Sequence, residues 1–172
     1  MLFRSTVHIS ARPAEASDRA VPGHWEGDLL SGTRSSTVAT LVERTSRFVM
    51  LAGLPGGHTA GVVADALADA ITSLPSQLRR SITWDQGKEM AGHARFSVAT
   101  GVPVYFCDPR SPWQRGSNEN TNGLLRQYFP RSTDFRALTQ SDLDAVAAEL
   151  NDRPRQTLRW KSPCQALDEA LR

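Results

Sequence analysis

Asp28, Asp85 and Glu119 are the residues whose surroundings in the 172-residue sequence suit chemistry rather than packing. Asp28 sits in His24-Trp25-Glu26-Gly27-Asp28-Leu29-Leu30 and Asp85 in Ser81-Ile82-Thr83-Trp84-Asp85-Gln86-Gly87, both short β-prone runs. A charge in or at the end of an apolar strand is costly unless it is met, so a cation is expected against these acids. Glu119 lies in a stretch that opens on the turn residues Asp108-Pro109-Arg110-Ser111-Pro112-Trp113 and closes with helical spacing before Pro130. At about 100° per residue, Leu124, Leu125, Tyr128 and Phe129 fall on one face of that helix and Glu119, Asn122, Gly123 and Arg126 on roughly the opposite one. One face anchors the helix. The other gathers a carboxylate, amides and a guanidinium, groups able to hold cations and phosphate. A lone helical glutamate is ordinarily solvated, and the two further acids are what raise this one above that reading.

The elements that must position these acids can be read in order. Residues 1–22, broken by Pro13 and Pro22, read as a leader or linker ahead of a single domain spanning 23–172. His24 to Leu30, Thr37 to Val42 and Phe48 to Ala52 are three strands at hairpin-length spacing. Val62, Val63, Ala66, Leu67, Ala70, Ile71 and Leu74 mark a helix from His58 to Leu74, stopped by Pro75. The Asp85 strand follows, then a helix from Lys88 to about Ala99, then the almost uniformly apolar Val102 to Cys107, as a central strand would be. Ser141 with Asp144 predicts a capping box for a helix carrying Leu143, Val146, Ala147 and Leu150. Arg153 to Lys161 is basic with an embedded tryptophan, and Ser162-Pro163 opens a last helix through Leu171. The order βββαβαβ followed by helices is an α/β fold on a mixed, five-stranded sheet.

At 40% hydrophobic the chain can bury one sizeable core, and a net charge of +2 is too small to identify a nucleic-acid binder by itself. Lys88 and Lys161 are the only lysines, and the arginine bias suits bidentate phosphate contacts or reflects a GC-rich genome. Cys107 and Cys164 are far apart, and His8, His24, His58 and His93 lack metal-ligand spacing, so neither a disulfide framework nor zinc is expected. No run reaches the 18 or so apolar residues of a membrane span, and Met1-Leu2-Phe3-Arg4 is too short for a secretory signal. A cytoplasmic, nucleoid-associated location without membrane contact is the expectation.

Three motifs resemble those of the DDE transposases of the insertion sequence 30 family, related in fold to retroviral integrases. They are Gly23-His24-Trp25-Glu26-Gly27-Asp28, Thr83-Trp84-Asp85-Gln86-Gly87-Lys88-Glu89-Met90, and Pro103 to Pro109 running into Ser111-Pro112-Trp113-Gln114-Arg115-Gly116-Ser117-Asn118-Glu119-Asn120. The 33 residues between Asp85 and Glu119 match the separation that the resemblance leads one to expect, and the likeness runs from about residue 10 to the C-terminus. It departs in one respect: members of the family usually carry an N-terminal helix-turn-helix region, which has no counterpart in this sequence.

The resemblance implies a ribonuclease H-like fold and a catalytic core that cuts and joins DNA during transposition, recombination and integration. It implies Asp28, Asp85 and Glu119 as catalytic residues and as ligands of two Mg²⁺ ions, with Mn²⁺ as a substitute. Two such ions, about 3.5 to 4 Å apart, stabilise charge on the attacking and leaving oxygens of a phosphodiester. Asp28 is expected to bridge both, with Asp85 and Glu119 holding one each. Water would free a DNA 3′-hydroxyl, which would then attack target DNA. Trp113, Gln114, Arg115, Asn118, Asn122 and Arg126 are expected to contact DNA, Arg126 at the phosphate beside the scissile bond. Glu26, on the same side of its strand as Asp28, is a supporting or substitute ligand, and Asp108 either supports the site or starts a turn. Glu89 is expected on a solvated face, and Trp25 and Trp84 in the core. The partners are DNA, transposon ends and target, and further copies of the chain assembled on it, with no small-molecule substrate. The alternative reading is a truncated, catalytically idle binding chain that inhibits full-length transposase.

Overall fold

The computed structural model describes residues 7–85, 90–108 and 111–172, with the backbone alone at 112 and 115. Six strands form one sheet: β1 (Val7–His8), β2 (His24–Ser31), β3 (Thr37–Glu43), β4 (Val49–Gly53), β5 (Ser81–Trp84) and β6 (Val104–Phe106). Their spatial order is β1-β6-β5-β2-β3-β4. The β2, β3 and β4 meander is antiparallel, whereas β5 joins β2, β6 joins β5 and β1 joins β6 in parallel. The five strands expected from hydrophobic pattern are thus present, and β1 is a sixth at the edge beside β6. Two residues cannot show a period, so β1 exists by virtue of the ladder Val7 to Tyr105 and His8 to Phe106.

Alternation along each strand sorts side chains into two layers. Trp25, Leu41, Ile82, Trp84, Val104 and Phe106 pack with Val63, Leu67 and Ile71 of α2 (Ala60–Thr72) and Phe96 of α3 (His93–Thr100). On the opposite side Leu30, Val38, Val42, Val49 and Leu51 pack with Leu125 of α4 (Gly116–Leu125) and Leu143, Ala147 and Leu150 of α5 (Gln140–Asn151). Glu26 and Asp28 alternate with Trp25, Gly27 and Leu29, so both acids point to the α4 side. Gly27 is required there: the Trp84 indole lies where its Cβ would be.

The edge at β4 is sealed by side chains. Asn151 accepts from the Val49 N–H at 2.8 Å and donates to its carbonyl at 2.9 Å, while Gln140 accepts from Gly53 N–H at 2.9 Å and donates to the Leu51 carbonyl at 2.7 Å. Outward-facing backbone groups of an edge strand are thereby satisfied without another strand. The expected capping box is present two residues earlier, as Thr139 with Asp142 rather than Ser141 with Asp144. Thr139 as cap puts Leu138 and Leu143, both part of the same apolar cluster, at the two positions of a hydrophobic staple, which a cap at Ser141 would give to Gln140 and Ala145. The last helix, α6 (Pro163–Ala170), starts at the expected Ser162 cap, and a short α1 (Ala14–Asp18) precedes β2. The expected start of the helix after Asp85, at Lys88, and Glu89 lie outside the described residues.

Candidate active site

Parallel pairing of β2 with β5 aligns Glu26 with Thr83, and Asp28 and Asp85 each stand two residues beyond that last pair. Two acids therefore leave neighbouring strands at matching positions, Asp28 partly exposed and Asp85 exposed. Helix α4 packs over β2 and β3. From it Asn122 donates Nδ2 to Asp28 Oδ2 at 3.2 Å and to Asn118 Oδ1 at 3.0 Å, while Asp28 Oδ1 accepts from the Leu29 N–H at 2.8 Å. Glu119 precedes Asn122 by about one helical turn and is exposed. The helix thus brings Asn122 to Asp28 and leaves Glu119 at the solvent edge of the same region.

The cation expected against a β2 acid is Arg44, and it meets Glu26. The Arg44 guanidinium donates to Glu26 Oε1 and, through Nε, to the Ala16 carbonyl at 2.8 Å. Glu26 Oε2 accepts the Asn118 N–H at 2.6 Å, so a buried ion pair grips the first turn of α4. Burial pushes the Glu26 carboxyl up, against the pull of Arg44 and the Asn118 N–H, and pushes Arg44 down to about 10. Three more arginines attach to this knot. Arg19 donates to Ser117 Oγ at 2.7 Å, Arg47 donates to the same hydroxyl, and Arg12 donates to Thr83 Oγ1 at 3.0 Å. None of the four was expected from sequence: Arg12 and Arg19 lie in the segment before β2 and Arg44 and Arg47 in the turn after β3, and only the fold brings them to Glu26, Thr83 and Ser117.

The expected DNA contacts separate into different roles. Asn118 is fully buried, and its amide donates to the Glu26 carbonyl at 3.1 Å and Thr40 Oγ1 at 3.4 Å, so as placed it packs the helix rather than facing a ligand. Gln114 is spent on Asp108, accepting its N–H at 2.8 Å and donating to Oδ2 at 3.0 Å. Asp108 also bonds His8, and these hydrogen bonds hold its carboxyl below the usual range. Trp113 is 72% exposed, whereas Trp25 and Trp84 are buried as expected. Arg126 donates to the Ser31 carbonyl at 2.9 Å and lines, with Asn122 and Arg131, a cleft of about 410 Å³. The side chain of Arg115 lies outside the described residues.

Asp28, Asp85 and Glu119 form an all-oxygen donor set that suits a hard divalent cation. Asn122 Oδ1, on the amide whose nitrogen touches Asp28, is buried and accepts no hydrogen bond from any described residue, one more oxygen suited to such an ion or its hydration shell. Among the described residues, no three of His, Cys, Asp and Glu stand close enough to hold one ion. The structure brings together Asp28, Asn122 and the end of β5, and does not carry Glu119 into contact with them.

Residues 18–112 match the integrase core domain family. Over 95% of its length the chain is 53% identical to the transposase InsI of insertion sequence element IS30A from Escherichia coli, and over 96% it is 54% identical to the transposase of insertion sequence element IS1086 from Cupriavidus metallidurans. It spans 42% and 49% of those relatives, less than half of each. The simian T-cell lymphotropic virus intasome contains a chain that superposes with a TM-score of 0.67 at 20% identity, covering 96% of this chain and 59% of that one. The catalytic core of bovine immunodeficiency virus (BIV) integrase gives 0.64 at 19% identity, covering 87% and 95%. Such likeness confirms the ribonuclease H-like architecture, with six strands where five were expected. The chain is an integrase-type catalytic core homologous to the insertion sequence 30 transposases, and it belongs to the integrase core domain family.

Proposed function

We propose that this core cuts and joins DNA phosphodiesters through Asp28, Asp85 and Glu119 acting with divalent metal. The observation that carries the reading is the placement of Asp28 and Asp85 at matching ends of neighbouring parallel strands, under a helix that reaches Asp28 through Asn122 and carries Glu119 one turn away. When bound, Mg²⁺ supplies Lewis-acid stabilisation of charge on the attacking and leaving oxygens. The chain's own residues do the rest. Asp28 is oriented by Leu29 N–H and Asn122, and the Glu26–Arg44 pair fixes the first turn of α4 and hence the approach of Glu119. The three acids do not stand as one ion's ligand set in this arrangement, so completing the site would bring Glu119 closer to the two strand ends. Arg126 and Arg131 line the adjoining cleft and are placed to hold DNA phosphate.

Strand joining with pre-cleaved transposon ends in Mg²⁺ or Mn²⁺ tests the proposal. Joining by the wild type that Asp85→Asn and Glu119→Gln each abolish supports it, and joining that survives both changes sinks it. A chain that binds DNA, joins nothing and depresses transposition by a full-length relative would instead support the inhibitory reading.

A further inference from the structure

Arg153 to Lys161 takes no part in the site above, yet its backbone is held in a shape that its residues disfavour. Arg159 (φ 55°, ψ 41°) and Trp160 (φ 66°) are successive left-handed residues, a conformation that suits glycine and costs a side chain with a Cβ. Hydrogen bonds close the turn around them: Arg155 N–H to the Lys161 carbonyl at 3.0 Å, Trp160 N–H to the Arg155 carbonyl at 2.9 Å, and Lys161 N–H to the Leu158 carbonyl at 3.1 Å. The Trp160 side chain is 68% exposed, so the ring contributes little to the core. A large ring kept where glycine would be easier, and kept in water, points to something outside the chain.

The surroundings say what. Arg159 and Lys161 adjoin Trp160 in sequence; Arg159 is exposed with no ion pair among the described residues, and Arg155, at the other end of the turn, carries a buried Nη1 with no partner among them. Only Lys161 is paired, with Glu169. Arg153 braces the turn against the end of the Glu119 helix, donating to Gln127 Oε1 at 3.1 Å and Tyr128 Oη at 2.7 Å with its guanidinium 5.6 Å from the tyrosine ring centroid. An exposed indole among cations is the pattern that stacks an unpaired base and tracks its phosphates.

We infer that the Arg155 to Lys161 turn is a second nucleic-acid contact, in which Trp160 stacks an unpaired base of a DNA strand and the exposed Arg159 and Lys161 hold its backbone. It rests on the reading of DNA as substrate but not on the three acids.

Fluorescence anisotropy of a labelled oligothymidylate with the whole chain, metal chelated, tests it. Trp160→Gly keeps the turn, because glycine suits φ 66°, and removes the ring. It is expected to weaken binding roughly 5- to 100-fold without lowering the melting temperature, with Trp160→Phe restoring most of the loss. Arg159→Gln is expected to lower the slope of log affinity against log salt by about 0.7. Unchanged affinity in Trp160→Gly overturns the inference. So does loss in Trp160→Gly of a self-association that ultracentrifugation detects without oligonucleotide, which would assign the turn to a second copy. Asp85→Asn separates the two proposals: DNA joining that survives Asp85→Asn, while oligonucleotide binding still needs Trp160, counts against the active-site reading alone.

Discussion

Glu26 and Asp28 stand two residues apart on one strand, point to the same face and lie under the same helix, yet they meet opposite environments. Glu26 is wholly buried, ion-paired with Arg44 and bonded to the Asn118 N–H. Asp28 is partly exposed and is touched from α4 by an amide that has an unmet oxygen of its own. The difference comes from where each falls on the sheet. Glu26 is still inside the ladder with β5, beneath the first turn of α4, whereas Asp28 has run past that ladder to where the sheet opens. A buried carboxylate clamped by a guanidinium and a backbone N–H holds structure, and a partly exposed one just past the ladder can be reached by a cation from solvent.

The sharpest way to break this contrast is to neutralise each acid in turn. Asp28→Asn is expected to lower DNA joining by roughly a thousandfold, several kcal/mol of transition-state stabilisation, while shifting unfolding in urea by less than about 0.5 kcal/mol. Glu26→Ala or Arg44→Met is expected to do the reverse in kind, costing about 3–5 kcal/mol of stability because each strands a buried charge. The double variant Glu26→Leu with Arg44→Met should recover much of that loss. Equal stability losses for Asp28→Asn and Glu26→Ala would erase the distinction.

This contrast was only half legible in the sequence. Alternation placed both acids on one face, and turn signals placed Asp85 just past its strand, because these are local properties of the chain. Which acid would be buried was not local: Arg44 comes from the turn after β3, and the Asn118 N–H from a helix 92 residues on. Asn118 was read as a ligand contact because it neighbours Glu119, but successive helical residues point about 100° apart and Asn118 turns inward. The shift of the capping box shows the same limit. Thr139 and Ser141 each precede an aspartate by three, and what favours Thr139 is that Leu138 and Leu143 on either side of it join the same apolar cluster.

Asn122 sharpens the comparison on the Asp28 side. Its amide orients Asp28 in the way that second partners orient metal ligands, so Asn122→Ala is expected to weaken Mn²⁺ binding about 10- to 100-fold, read by calorimetry or by electron paramagnetic resonance of free Mn²⁺. Fluorescence melting without metal should change little. If metal binding is unaltered, Asn122 is a DNA contact and the orphaned Oδ1 has another use.

Asp108 is a third kind of carboxylate, partly exposed and held by His8 and Gln114. Those bonds depress its folded value, so its contribution to stability is present above the usual aspartate range and is lost as pH falls through the depressed value. His8→Asn and Gln114→Ala are each expected to move the carbon-13 titration of Asp108 back up toward the ordinary range. Repeating the wild-type titration with Mn²⁺ then decides which class Asp108 joins. A carboxyl that only holds the Gln114 loop keeps titrating, and its resonance survives the paramagnetic ion. One that ligates the ion with Asp28 loses its resonance and belongs with Asp28 and Asp85 at the strand ends.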